Sequence, residues 1–182
     1  ILGEDSAGSP LAVSWRHLDG NSLWLSMEAP SYLRRRDVAV AVSADGKTLY
    51  FYGGLRSGES QAGLFAVPMD PELLVATAES SARLDGGSSG PGARRDARIA
   101  VDPHGRAVYL FGGEQDGVWR NDLWRYDLST QSWALLDEGS SVEAPHEAPA
   151  GALLISPVDG TLHVVAGGAS QNPNEQRALY SY

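Results

Sequence analysis

The chain contains no cysteine. Disulfides, cysteine-ligated zinc and a cysteine nucleophile are therefore excluded together, while the compartment is left open. Lysine is almost as scarce: of 14 basic residues only Lys47 is a lysine, and 23 acidic residues bring the formal net charge to −9. Neutralisation of phosphates by Lys and Arg carries most nonspecific affinity for nucleic acid, so a chain of this sign is not expected to bind it. No apolar run approaches the roughly 18 residues that a membrane span needs, and no basic segment leads into an apolar one as in a signal peptide. A membrane span is not expected, and Ile1 reads as a processed or trimmed end.

What is present is turn chemistry. The 21 glycines and 10 prolines suit a turn-rich all-β protein. The clearest stretch is Asp96 to Leu136, which holds four strand-like runs: Arg98 to Val101, Ala107 to Phe111 ending on Gly112-Gly113, Asp122 to Asp127, and Ser132 to Leu136. Asp102-Pro103-His104-Gly105 separates the first two, a polar loop the next two, and Ser129-Thr130-Gln131 the last two. Aromatic and β-branched residues alternate with polar ones between this punctuation, and no helical period competes.

The pattern recurs. Asp45-Gly46 precedes Gly53-Gly54, His104-Gly105 precedes Gly112-Gly113 and Asp159-Gly160 precedes Gly167-Gly168, with the same step of seven residues each time. The intervening runs, Leu49 to Tyr52, Val108 to Phe111 and Leu162 to Ala166, read as hydrophobic second strands of successive units. A glycine pair closing a second strand, a Trp124-Arg125-Tyr126-Asp127 third strand and Trp133 in the fourth resemble the kelch motif, whose repeats run to roughly 50 residues. The resemblance implies an all-β, kelch-type propeller segment of four-stranded antiparallel blades. Residues 1–30 would be a partial blade, 31–80 a blade, 81–92 a Gly/Ser-rich connection without packing residues, 93–137 a blade and 138–182 a partial blade.

Within that frame Leu11 to Arg16 and Leu23 to Met27 read as third and fourth strands. Val38 to Val42, Thr48 to Tyr52, Leu64 to Val67 and Leu73 to Ala76 read as the four strands of the next blade, with a helix over Pro71 to Ser80 the rival for its end. Ala152 to Ile155 and Ala178 to Tyr182 read as first and third strands of the last unit. The glycine pairs are expected where a side chain would obstruct a neighbour or φ must be positive. Tyr126 and Trp133 should fill the wedge between adjacent blades, with Trp124 on the other face.

Chemistry is sparse. Glu143, His146 and Glu147 form an acidic group with one imidazole, but in a Pro-rich loop without the spacing that fixes metal ligands. Glu114 and Asp116 could hold a cation with backbone carbonyls. His17, His104 and His163 read as solvated or structurally satisfied. No metal or cofactor is expected. One charged pattern repeats: Arg35-Arg36-Asp37 and Arg94-Arg95-Asp96 both stand nine residues from Asp to turn glycine. The entrance to the first strand lines the channel mouth in kelch-like propellers, so Arg35, Arg36, Arg94 and Arg95 are candidate ligand-binding residues for carboxylate or phosphate. Alternatively each pairs with the nearby Asp, or with a carbonyl of the next blade, and is structural.

The resemblance therefore implies a non-catalytic recognition module for a protein, acidic or glycan ligand. A carbohydrate-active enzyme similar to the sialic-acid mutarotases is the alternative, because no nucleophile, base and orienter stand at telling spacings. Kelch-type copper-radical oxidases need a Tyr-Cys crosslink that this chain cannot form. Propellers close with about four to eight blades, so the remainder of a longer chain or a second copy is expected to complete the ring. Without it, residues 1–182 should associate through open blade faces rather than persist as a stable monomer.

Overall fold

The computed structural model of the chain describes residues 2–4, 10–18, 21–27, 35–69, 82–85, 90–139, 150–167 and 178–181. These residues are all β, and none forms a helix long and apolar enough to cross a membrane. In chain order the strands are β1 (Leu2–Glu4), β2 (Pro10–Leu18), β3 (Asn21–Met27), β4 (Ala39–Val42), β5 (Thr48–Tyr52), β6 (Leu55–Arg56), β7 (Glu59–Ser60) and β8 (Leu64–Pro68). They continue as β9 (Ala82–Arg83), β10 (Arg98–Val101), β11 (Ala107–Gln115), β12 (Val118–Asp127), β13 (Ser132–Asp137), β14 (Ala150–Ile155), β15 (Leu162–Gly167) and β16 (Ala178–Ser181).

Every sheet is an antiparallel meander. The orders are β1-β2-β3, β4-β5-β8-β9, β10-β11-β12-β13 and β14-β15-β16, with β6-β7 a separate two-stranded ribbon. Where a short turn joins consecutive strands, as in β4-β5, β10-β11, β11-β12, β12-β13 and β14-β15, antiparallel pairing follows, because strands joined by a few residues can only run antiparallel. The third and fourth strands expected at Leu11 to Arg16 and Leu23 to Met27 fall within β2 and β3. Those expected at Ala152 to Ile155 and from Ala178 fall within β14 and β16.

The core lies between sheets. Ala39, Tyr52 and Leu64 of one sheet pack on Ala97, Ile99, Val108, Leu110 and Tyr126 of the next. On the other side Ala100, Phe111 and Leu123 pack on Leu153, Leu162 and Val164. Period-two alternation along β10 and β11 explains this division: one face of the sheet meets the preceding unit and the other face the following one. Both faces of the middle blade are thus covered, which is why its second strand is almost uninterruptedly apolar.

Three expectations need correction. β11 does not stop at Gly112-Gly113; it continues to Gln115 across a register shift between Phe111 and Gly113. Left-handed backbone at both glycines (φ 60° and 93°) makes a bulge there instead of a strand end. Trp124 does not occupy the opposite face: it packs with Trp133 on the cluster containing Tyr126, as residues two apart on one strand must. The 81–92 connection is not free of packing residues, because β9 pairs with β8, Leu84 packs on the inter-sheet core and Asp85 is buried. The fourth strand expected at Leu73 to Ala76 lies outside the described residues.

Candidate functional site

Two blades are superimposable in sequence with an offset of 59: Arg35 matches Arg94, Gly53 matches Gly112 and Leu64 matches Leu123. The equivalence is kept in the backbone. Asp37 and Asp96 both take left-handed φ, 56° and 55°, a conformation that Asp tolerates better than most residues. Arg36 bridges Leu55 just as Arg95 bridges Glu114. The segments also stitch the blades together: the Gly54 amide donates to the Arg94 carbonyl (2.9 Å) and the Asp96 amide to the Asp37 carbonyl (2.9 Å).

The structure separates the four candidate arginines into two kinds. Arg35 and Arg94 are 4% and 1% exposed. Each donates through its guanidinium to the first-glycine carbonyl of its own blade, Arg35 to Gly53 (2.9 Å) and Arg94 to Gly112 (2.8 Å). The carbonyls reached are therefore in the same blade, not the next one. Arg94 also donates to the Pro91 carbonyl and to both carboxylate oxygens of Asp122, at 2.8 and 3.1 Å. Trp124 Nε1 donates to the second of those oxygens at 2.7 Å, which orients the carboxylate. Arg35 lies 5.1 Å from the Phe65 ring centroid. Its burial, with Arg56 and Arg83 close by, pulls its pKa down to about 10.

Arg36 and Arg95 reach the surface, with side chains 54% and 36% exposed. Arg36 is 3.9 Å from the Asp37 carboxylate, a surface contact of little energetic weight. Arg95 pairs with Glu114 and lies 3.8 Å from Asp96. Burial, followed by the nearby Asp37 charge, raises the Asp96 pKa above the ordinary carboxylate value.

Beside these arginines stand two hairpins. Ser57-Gly58 closes β6-β7 and Asp116-Gly117 closes β11-β12, with φ of 52° and 85° in the first and 52° and 80° in the second. Positive φ at both central residues is the type I′ hairpin geometry. Glu114 accepts from the Gly117 amide at 3.0 Å and holds the second turn. The backbones match but the side chains differ, Leu-Arg-Ser-Gly-Glu-Ser against Glu-Gln-Asp-Gly-Val-Trp. A groove of about 320 Å³ opens next to the second hairpin, where β12 and β13 shift register, and Trp119, Asn121, Trp124, Leu135 and Glu138 line it.

The loop expected between second and third strands is thus a tight hairpin in both blades. Its signal was in the sequence, since Asp-Gly between strand-like residues favours a two-residue turn. The roles of Asp122 and Asp85 had no such signal, because both are fixed by contacts between strands. Glu114 pairs with Arg95, and no group of three or more potential metal ligands occurs among the described residues. Glu143, His146 and Glu147 lie outside them. His104 is exposed in its turn, and the His163 ring nitrogen is 3.1 Å from the Ser181 hydroxyl.

A repeated four-stranded antiparallel meander that buries its core against its neighbours defines the chain as a propeller-type repeat protein. Residues 97–138 match the family described as "Kelch motif", so the chain carries a kelch repeat. The leucine-zipper-like transcriptional regulator 1 homolog of Drosophila melanogaster is 37% identical over 62 residues, covering 34% of this chain and 6% of that protein. Kelch repeats generally mediate protein interactions, and the coarse function is that of an interaction module.

Proposed function

We propose that the chain recognises a partner protein through the end of the blades that carries Arg36, Arg95 and the two type I′ hairpins. The observation that carries this reading is the pairing of identical backbone with divergent side chains at Leu55–Ser60 and Glu114–Trp119. Rigid strands that present variable tips at one end are the usual construction of a binding surface. Arg36, Arg56, Val118 and Arg120 are exposed there, giving cationic and apolar contacts on an otherwise acidic chain. The module acts without catalysis, and further blades from a longer chain or a second copy complete the propeller.

The test is to identify a partner by crosslinking from the hairpin tips and then measure its affinity for Arg36→Glu/Arg95→Glu and Val118→Glu proteins. Loss of binding with an unchanged circular dichroism spectrum supports the reading. Unchanged affinity in both variants would overturn it. A glycan ligand is the second reading, favoured by Trp119 and Trp124 standing with Asn121 and Glu138 in one groove, since aromatic faces offer apolar contact beside polar groups. Glycan-array binding that is lost in Trp119→Ala would favour it, and sugar turnover would favour the mutarotase-like alternative.

A further inference from the structure

The two blades solve the problem of a buried guanidinium differently. In one, Asp122 supplies a carboxylate to Arg94 through two hydrogen bonds. The matching position in the other is Gly63, since Leu64 and Leu123 occupy the same register beside Tyr52 and Phe111. Arg35 is nevertheless buried, at 4% exposure. It donates to the Gly53 carbonyl and lies against Phe65, and among the described residues it makes no ion pair; its Nε has no hydrogen-bond partner, a feature it shares with Arg94, so the difference between the blades is the carboxylate alone. A buried cation without a counter-charge is costly, and the twin blade supplies one in Asp122.

More positive charge stands around it. The Arg83 guanidinium lies 5.9 Å from the same Phe65 ring centroid that Arg35 approaches. Arg83 pairs with Asp85 at 2.8 Å, while the other Asp85 oxygen accepts from the Leu64 amide at 3.1 Å. Arg56, paired with Glu59 in the β6-β7 hairpin, is exposed. A side chain at position 63 would be strained, because φ there is 115° and a Cβ would sit 3.0 Å from both Arg83 Nε and Phe65 Cε2. Three guanidiniums thus stand near one another, with Asp85 engaged by Arg83 and Glu59 across the hairpin from Arg56, and the desolvated one, Arg35, has no carboxylate against it among the described residues.

We infer that Arg35, Arg56 and Arg83 form a receptor for a carboxylate from outside the blade, the side chain of an aspartate or glutamate in an acidic peptide segment of a partner. Such a carboxylate would take the role that Asp122 plays toward Arg94, with Arg83 and Arg56 at the accessible rim. Charge-assisted, two-pronged hydrogen bonds to a partly dry guanidinium give both affinity and orientation. The inference rests on the protein-recognition reading only for the nature of the ligand, since these residues are distinct from Arg36 and Arg95.

The test uses the full chain and a capped hexaglutamate peptide, with capped hexaglutamine as control, by calorimetry at low and physiological salt. Hexaglutamate should bind and hexaglutamine should not. Arg56→Gln, on an exposed hairpin side chain, and Arg83→Gln, with circular dichroism checking that loss of the Asp85 pair leaves the fold intact, should each weaken binding by about tenfold or more. The Arg35 Nε–H resonance should move on titration in the wild type, a readout that needs no substitution of the buried residue. No binding, equal affinity in the rim variants, or an unmoved Arg35 resonance would overturn the inference. If only Arg36→Glu/Arg95→Glu abolishes binding, the acid docks at the channel mouth; that outcome sinks this inference and leaves the other reading standing.

Discussion

Arg94 and Asp122 are joined by a fork of two hydrogen bonds, 2.8 and 3.1 Å, between a guanidinium 1% exposed and a carboxylate 14% exposed. Removing the carboxylate leaves a buried cation facing only carbonyls. Asp122→Ala is expected to cost about 3–5 kcal/mol, the range for breaking one side of a buried pair. Urea unfolding should show the midpoint falling at unchanged slope. A loss within about 0.5 kcal/mol would mean that the pair behaves as a surface contact.

The second glycine of the pair is expected to be as sensitive as any core residue. At Gly113 (φ 93°) an added Cβ would stand 2.7 Å from the Arg95 carbonyl oxygen and 2.9 Å from the Ala97 amide. Backbone on that side cannot give way without moving the Arg95–Glu114 bridge. Gly113→Ala should therefore cost more than Gly105→Ala, where φ is 67° but nothing lies within 4 Å. Backbone strain of about 1–3 kcal/mol is common to both, so the difference in their unfolding free energies isolates the collision. Equal losses would show that the bulge can relax.

Trp133 sits at the junction of two blades, edge-on to Tyr52 (5.6 Å between centroids) and to Tyr126 (5.1 Å). Its ring also closes against Gly90, where a Cβ would come 2.6 Å from it. Trp133→Ala should cost about 3 kcal/mol, the lower end for a large aromatic because the side chain is only partly buried. A change near zero in thermal or urea unfolding would remove Trp133 from the inter-blade core.

How much of this could be read beforehand depended on range along the chain. The meander, the glycine pairs and the Tyr126–Trp133 wedge were legible because each is written in local alternation or in a repeated step. The Arg-Arg-Asp register was legible too, but not which arginine turns inward: that is decided by Gly53 and Gly112 carbonyls 18 residues away. β9 escaped because Ala82 and Arg83 carry no strand preference. Their pairing is enforced by Leu84, whose amide donates to the Leu64 carbonyl at 2.8 Å and whose own carbonyl accepts from the Tyr126 hydroxyl at 2.7 Å. The contrast between Asp122 and Gly63 is visible only once the strands are in register.

The acid limb of stability should carry two opposed contributions, and they can be separated. The Ser129 hydroxyl, the Thr130 amide and then Arg125 hold the Asp127 carboxyl well below the usual range. A carboxylate with a depressed folded pKa adds stability above its unfolded value, and that stability is lost as pH falls toward the folded one. Asp96 works the other way. Burial and the neighbouring Asp37 raise its folded pKa, so the folded state binds the proton more tightly than the unfolded chain does. Stability from Asp96 alone therefore rises as pH falls through the raised value and levels off below the ordinary carboxylate pKa of about 3.9. Asp96→Asn keeps a residue that tolerates φ of 55° and removes the titration. The variant should lose that gain in the weakly acidic range, making its stability fall more steeply with acid than that of the wild type, while at neutral pH it is at least as stable. Denaturant unfolding across pH 4–7, paired with carboxyl NMR titration of Asp96, measures both. A parallel pair of pH profiles would show that the Asp37–Asp96 approach carries no titratable energy.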